Sequence, residues 1–509
     1  MSMLKFTICL VSCFFFTLTL FAQTPNRPVP YGVFPYEFVQ NDTSLQFYLG
    51  INTSSLGGAV TDPDYKYKRG VILDPDGFIA WYQNRDPLNA NAISGFHYNE
   101  ANGVFQEVVS FSSVNKEFRT LDTNLEFLGT TVTVVVDPDS HEFLIDEDGS
   151  KYISTRHDET HDLSAYLFDG SPMSATTNVQ CGGVQEFDAG GSLVFEWNSC
   201  DEIHPSEAYG FGYNQNGFDY FHINAIDVDT DDNLLVSARH TNSIIKINHV
   251  TGAVMWRLGG LLSDFTFVGD TGFSGQHDVR AISPDVVSIF SNGNLDVPQQ
   301  SRGVMYQLDT VNWTATLIDE IDPVVPIYGG AMGNYSKIDG YDVINYGAVF
   351  RPSPNIVIYD NLKNVAAEYY FKDSSITYRA TPFHLDFTLP RPVISCVDSS
   401  GTLYLKAPAG YPTYEWSNGE TTQIILPVLG ETYQVYVPYG VGNLGSIPHG
   451  YDGTCFSNVE IDELSSTAQE VKLLRTVDML GRTVSERRSG VVYIEIYSNG
   501  TTKRVFTIE

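Results

Sequence analysis

Basic side chains, tryptophan and cysteine are all scarce in this chain, and no segment carries a strong helical period. Lysine and arginine total 29 against 61 aspartates and glutamates, a net charge of −32. Such a surface repels phosphate backbones and anionic membranes, which excludes nucleic acid as a partner and suits a protein kept dispersed outside the cell. None of the six cysteines stands in C-x-x-C spacing, so metal or redox chemistry through a pair of that kind is not supported. No G-x-x-x-x-G-K segment is present, which removes a phosphate-cradling loop. After Phe21 no apolar run is long enough to span a bilayer.

What is present begins with a leader. Lys5 precedes an uncharged apolar run from Phe6 to Phe21, and Ala22-Gln23 offers a cleavage point, so residues 1–22 are expected to be a signal peptide. Cys13 stands in "LVSC", which looks like a lipoprotein box, but the apolar run continues past it where such a box normally ends the run. Lipidation is therefore not expected. With Cys9 and Cys13 in the leader, two local pairs remain, Cys181 with Cys200 and Cys396 with Cys455, both compatible with disulfides in an exported protein.

One hairpin plan recurs between residues 70 and 371. "VILDPDGFIAWY" (71–82), "VQEFDAGGSLVFEW" (184–197), "IKINHVTGAVMWRLGG" (245–260), "VMYQLDTVNWTATLI" (304–318) and "IVIYDNLKNVAAEYYF" (356–371) each join two short strands through an Asp- or Asn-led turn. Strands of a second kind alternate with them. Radial repetition of four-stranded sheets, a β-propeller, fits this better than one large sandwich. After "PRPVISC" (390–396) the texture changes, and closely spaced turns around Trp416 predict an immunoglobulin-like β-sandwich over 391–461. A linker (462–470) and a last β module (471–509) follow.

Most of the eleven histidines need no special role. His157 and His161 in "RHDETHD" have i, i+4 spacing, but no Glu directly follows the first and the flanks are turn-like, so a polar loop is expected. His97, His141, His204, His249 and His449 read as surface or loop residues. Three places differ: His222 with Asn224 in "DYFHINAIDVD", Arg239-His240 in "LLVSARHTNSI", and His277 with Arg280 in "GQHDVR". Strand ends near a propeller axis converge on one funnel, where such groups meet.

Two resemblances add to this reading. "VDMLGRTV" (477–484), "SGVVYIEI" (489–496) and "GTTKRVFTI" (500–508) resemble the C-terminal sorting domains of proteins exported by the bacterial type IX system. That implies passage through the periplasm to the outer surface or beyond. "DYFHINAIDVDTDDNLLVSARHTNSIIKINHVTGAVMWRLGG" (219–260) and "GQHDVRAISPDVVSIFSNGN" (275–294) resemble the bacterial arylsulfotransferase family, as do "VQEFDAGGSLVFEWNSCDEIHPSEA" (184–208), "SRGVMYQLD" (301–309) and "ITYRATPF" (376–383).

The second resemblance implies an all-β protein whose residues 24–390 form a six-bladed β-propeller, with an N-terminal β extension to about residue 115. It implies sulfuryl transfer from a phenolic sulfate donor to a phenolic acceptor through a sulfated histidine, without nucleotide donor, cofactor or metal. His222 matches the first family histidine and His277 the one after Gln. Arg239-His240 matches the Arg-His pair between them. Asn292 sits in the family's "F-D-N-G" turn, here with Ser291 for Asp. Some members carry an Arg just after that turn. Leu295-Asp296 stand there instead, and Arg302 is the nearest substitute. Which histidine is the nucleophile stays open, with His384 in "TPFHLDF" the only one after His277 in the propeller. His222, His277, His384 and Arg302 are thus the expected catalytic set, with Asn224, Arg239, His240, Arg280 and Asn292 binding substrate.

The chemistry suits such groups. A neutral imidazole attacks sulfur well, and cations stabilise the charge that builds on the sulfuryl oxygens. Two rivals remain. A quinone-dependent dehydrogenase propeller would repeat a docking Trp in most blades, and five tryptophans are too few. A non-catalytic propeller that binds sulfated or phenolic ligands is separated from the enzyme by turnover of a sulfate ester.

Overall fold

An Asp or Asn that opens a turn between two strands can accept amide hydrogens from residues two to four positions on, which closes the turn locally. The computed structural model shows this device six times. It describes residues 27–455, apart from positions 31–32, 53, 56–68, 85–91, 111–114, 169–170, 210–212, 215–216 and 373, and three strands near the C-terminus. The expected signal peptide (1–22) and linker (462–470) lie outside the described residues.

Among the described residues, six sheets carry the fold, each with a core of four antiparallel strands. In each, the turn between the third and fourth strands opens on Asp74, Asp122, Asp188, Asn248, Asp309 or Asp360, whose Oδ1 accepts the amides. Their first strands are Ala380–Phe383, Ala92–Asn99, Asp137–Ile145, Ile223–Val228, His277–Ser283 and Asn334–Ile338. Each touches the first strand of the next sheet, and the sixth returns to the first, so they form a closed, propeller-like ring. Ring closure joins distant parts of the chain, since Ala380–Phe383 pairs with Tyr48–Asn52 in register Tyr48↔Phe383. The segment to about residue 115 is therefore no extension. Its strands Tyr48–Asn52, Gly70–Leu73 and Ile79–Gln83 complete the first sheet, and Ala92–Asn99 opens the second.

Apolar clusters fill the gaps between neighbouring sheets. Leu235, Ile244, Trp256 and Leu258 of the fourth sheet pack on Val279, Val287, Ile289 and Tyr306 of the fifth. Leu49, Ile51 and Val71 of the first pack on Val343, Ile356 and Ile358 of the sixth. At roughly 25 cal/mol per Å² of apolar area buried, these contacts supply the main drive for closure.

Residues 391–455 form two small sheets around Trp416, which is 0% exposed and packs on Leu405, Ile425 and Val435. This unit is not separate from the ring. Its strand Gly442–Gly445 pairs with Ile79–Gln83 and extends the first sheet. The Trp81 indole donates to the Tyr439 carbonyl at 3.1 Å. Disulfides join Cys181 to Cys200 and Cys396 to Cys455, as the pairing in sequence suggests. Leu473–Val477, Val492–Tyr497 and Thr502–Phe506 make a three-stranded antiparallel sheet. No described helix is long and apolar enough to cross a membrane.

Because the 391–455 unit covers the outer edge of the first sheet, a chain ending at residue 390 exposes Trp81 and an unpaired edge strand. Burial of one such aromatic is worth about 2–3 kcal/mol, and open edges aggregate. The truncated chain is expected to melt at lower temperature than the full chain and to aggregate, as read by calorimetry and light scattering.

Candidate active site

Histidines from three successive sheets meet where their first strands begin. His141 lies within Asp137–Ile145, His222 immediately precedes Ile223–Val228, and His277 opens His277–Ser283. The His141 and His222 rings are 4.7 Å apart edge to face, and His222 stacks on His240 at 4.5 Å. Tyr378 places its ring 5.9 Å from His141 and 6.5 Å from His277. The backbone is bent to do this. His222, Asp278 and Met332 hold φ of 57°, 55° and 65°, a left-handed conformation costing roughly 1–2 kcal/mol for each such residue.

Two of these imidazoles are oriented in the same way. His222 Nδ1 donates to Asp219 Oδ2 at 2.6 Å, and His141 Nδ1 donates to Asp139 Oδ1. Neither Nε2 makes a hydrogen bond among the described residues, and both rings line one small cavity with Arg156, Gln180 and Cys181. Burial works to raise the pKa of Asp219, but the hydrogen bond and charge of His222 bring it below the usual range. For Asp139 the charge of His141 likewise outweighs burial. Both carboxylates stay ionised and hold the Nδ1–H of their partners.

The other two imidazoles are fully engaged. His240 donates from Nδ1 to the Asp219 carbonyl at 2.5 Å and accepts from Arg239 Nη1 at Nε2, 3.0 Å away. Burial, with the charge of His222, pushes its pKa down to about 3, so it is neutral. His277 is 3% exposed. It donates from Nδ1 to Asn292 Oδ1 at 2.7 Å and accepts the Met332 amide at Nε2, 3.1 Å away. Burial, then the charge of Arg239, holds its pKa well below the ordinary value.

Arg239 is the unusual cation here. Nη1 meets His240, Nη2 donates to the Gly330 carbonyl at 2.9 Å, and Nε is buried without a partner among the described residues. No carboxylate among the described residues pairs with it, and burial lowers its pKa. A desolvated guanidinium beside neutral imidazoles attracts an anion with planar or tetrahedral oxygens. Asp219, His222 and His240 also place ligand atoms within 4.8 Å of one another, a set able to hold a metal ion, although Arg239 opposes a cation there.

A family model for arylsulfotransferases matches residues 108–371, just over half of the chain. The chain belongs to the arylsulfotransferase family. No curated protein matches it. Among solved structures, this arylsulfotransferase-family chain is similar to a protein of unknown function from Bacteroides caccae, at 10% identity over 67% of this chain and 99% of that one, TM-score 0.40. A putative 6-phosphogluconolactonase from Bacteroides uniformis gives 13%, 80%, 97% and 0.36. A catalytically inactive virginiamycin B lyase from Staphylococcus aureus with quinupristin gives 11%, 73%, 96% and 0.33. Likenesses this distant bear on no activity.

Within this member of the family, the structure brings together His222, Arg239, His240 and His277 of the expected set and leaves others apart. His384 follows the end of its strand, is 42% exposed at its side chain and pairs with Asp339 at 3.1 Å. Arg302 is tied to Asp270 at 2.9 Å and to Glu320. Asn292 spends its amide on the Gly329 and Met332 carbonyls and its oxygen on His277, so it orients an imidazole instead of facing a ligand. Asn224 does not share a face with His222. The left-handed turn at His222 and a bulge after Ile223 break the alternation, and its side chain donates to the Gln276 carbonyl. Asp139, His141, Asp219 and Tyr378 join the site as well, beyond the residues expected from sequence. For the two Asp–His pairs the local signal is an Asp two or three positions before a His, in "DSH" and "DYFH".

Arg280 lies beneath the site, in a buried network on the axis. It donates to Glu142 at 2.9 Å and to Asp278 at 2.7 Å, while Arg379 forms a bidentate pair with Glu142 at 2.8 and 2.9 Å. Asp227 stands 3.8 Å from Arg280. Three carboxylates thus share two guanidiniums, and one is in excess. Burial pushes Asp227 up to about 7, with the charges of Glu142 and Asp278 adding to it. A raised carboxyl pKa contributes stability below the unfolded value that is lost as pH rises through the folded one. Asp227→Asn is therefore expected to gain stability over the parent at pH 8 and less, or none, at pH 5. Thermal melts at the two pH values check this, and a pH-independent difference contradicts it.

Proposed function

We propose that this chain is an aryl-sulfate sulfotransferase that works through a sulfated histidine, built on a six-bladed propeller. The observation that carries the reading is His222. Its Nδ1–H is held by Asp219, and among the described residues its Nε2 makes no hydrogen bond and Arg239, just beyond the stacked His240, has no carboxylate partner.

In the first half-reaction, His222 Nε2 forms a bond to the sulfur of a phenolic sulfate ester. The bond from sulfur to the aryl oxygen breaks, and the leaving phenolate takes a proton from His141, which Asp139 holds in place. Arg239 balances the charge on the sulfuryl oxygens. In the second half, His141 removes the proton of an acceptor phenol, whose oxygen attacks sulfur and releases His222. His277 and Asn292 act as positioning residues, since they hold the Gly329–Met332 turn whose Gly330 carbonyl seats Arg239. The disulfides and the family are compatible with export, and a leader with a type IX sorting tail fits a secreted or surface-bound enzyme.

Transfer from 4-nitrophenyl sulfate to phenol by the full chain, read as nitrophenolate release, tests this. His222→Ala is expected to lose at least ~10³-fold, since no nucleophile remains. His141→Ala is expected to lose about 10²–10⁴-fold. His384→Ala is expected to keep the parental rate. Full activity of His222→Ala would overturn the assignment. Arg239-dependent binding of aryl sulfates without turnover would point to the binding module instead.

A further inference from the structure

"RHDETHD" is not the polar loop expected from its sequence. It ends the strand Lys151–His161, so His157, Glu159 and His161 alternate onto one face. That face meets the Cys181–Cys200 disulfide, with Cys181 the register partner of His157 and Cys200 on the helix Ser199–Glu202. Glu159 accepts from His157 Nε2 at 2.9 Å, from His161 Nε2 at 3.2 Å and from Asn198 Nδ2 at 3.1 Å. The ligand atoms of His157, Glu159 and Cys181 lie within 4.8 Å of one another, and so do those of Glu159, His161 and Cys200.

Glu159 therefore belongs to two three-donor groups, one with His157 and Cys181 and one with His161 and Cys200, drawn from a strand, its neighbour and a helix. Imidazole and thiolate together are the donor set of tetrahedral zinc. In the disulfide form the sulfurs are bonded to each other and are poor ligands. We infer that reduction of Cys181–Cys200 frees the two sulfurs to draw both groups onto one zinc ion, held by His157, His161, Cys181 and Cys200, with Glu159 hydrogen-bonded to the ligands or replacing one of them.

A dithiol reductant gives two electrons to the S–S bond and closes its own disulfide, leaving two thiols on the protein. Each thiol releases its proton to solvent as its sulfur takes the metal, and zinc stays divalent. Neither the family assignment nor the sulfuryl-transfer reading enters this inference.

Cobalt(II) serves as the spectroscopic probe. The full chain is reduced with a dithiol, desalted without air and titrated beside two variants, His157→Gln/His161→Gln, which keeps every cysteine, and Cys181→Ser/Cys200→Ser. The reduced parent is expected to show the intense visible bands of a tetrahedral sulfur–nitrogen site. Zinc should bleach them at one equivalent more than either variant takes up, and the oxidised parent should show none. Equal uptake in all three proteins, bands that lack tetrahedral intensity, or equal binding by the oxidised chain would overturn the inference. Loss of the β signal in circular dichroism on reduction, unrestored by zinc, would overturn it as well.

Discussion

The carboxylate of Glu142 is the point on which the centre of the ring depends. It is 2% exposed, and it pairs with Arg280 from the fifth sheet and Arg379 from the turn that leads back to the first. Those charges hold its pKa down at about 2 in spite of burial. Removing one partner of a buried pair typically costs about 3–5 kcal/mol, because the other charge is left uncompensated. The two guanidiniums carry the constraint outward. Arg379 Nη2 donates to the Asn224 carbonyl at 2.7 Å, and Arg280 Nη1 to the Ile226 carbonyl at 3.0 Å. The strand that follows His222 is thereby pinned to the axis, and Tyr378 is set against His141 and His277.

Above that network, the site separates histidines by what their nitrogens already do. His240 and His277 are neutral, buried and saturated with hydrogen bonds, so they shape the pocket and seat Arg239. His141 and His222 are each tied at one nitrogen by an ionised Asp and, among the described residues, open at the other. A buried cation without a carboxylate would be costly in an empty apolar core. Beside neutral imidazoles it becomes a standing attraction for an anionic ester. The left-handed backbone at His222, Asp278 and Met332 shows where the fold accepts strain to bring these groups together.

The repeated architecture was legible in the sequence because its signals are local. The five quoted hairpins are all third-to-fourth strand pairs, recognisable because Asp or Asn closes each turn within a few residues. The start of a strand at His277 was legible for the same reason. Ring closure was not, since Tyr48↔Phe383 joins residues more than three hundred positions apart and no local pattern announces it. The same limit made the N-terminal strands look like an extension and residues 391–455 like a free domain. At the site, His222, Arg239, His240 and His277 could be named from their neighbours in sequence. His141 was passed over because its significance lies in facing His222 from another sheet. The side chains of Asn292 and Arg280 suit a substrate, whereas internal partners already satisfy them.

The account turns on which imidazole carries the sulfuryl group. Incubation of the full chain with 4-nitrophenyl sulfate and no acceptor, followed by an alkaline quench and peptide mapping by mass spectrometry, addresses that directly. The account predicts one added sulfuryl group on the peptide that contains His222, discharged when phenol is supplied. A sulfuryl group on His277 or His384, or turnover with no labelled histidine at all, would contradict it.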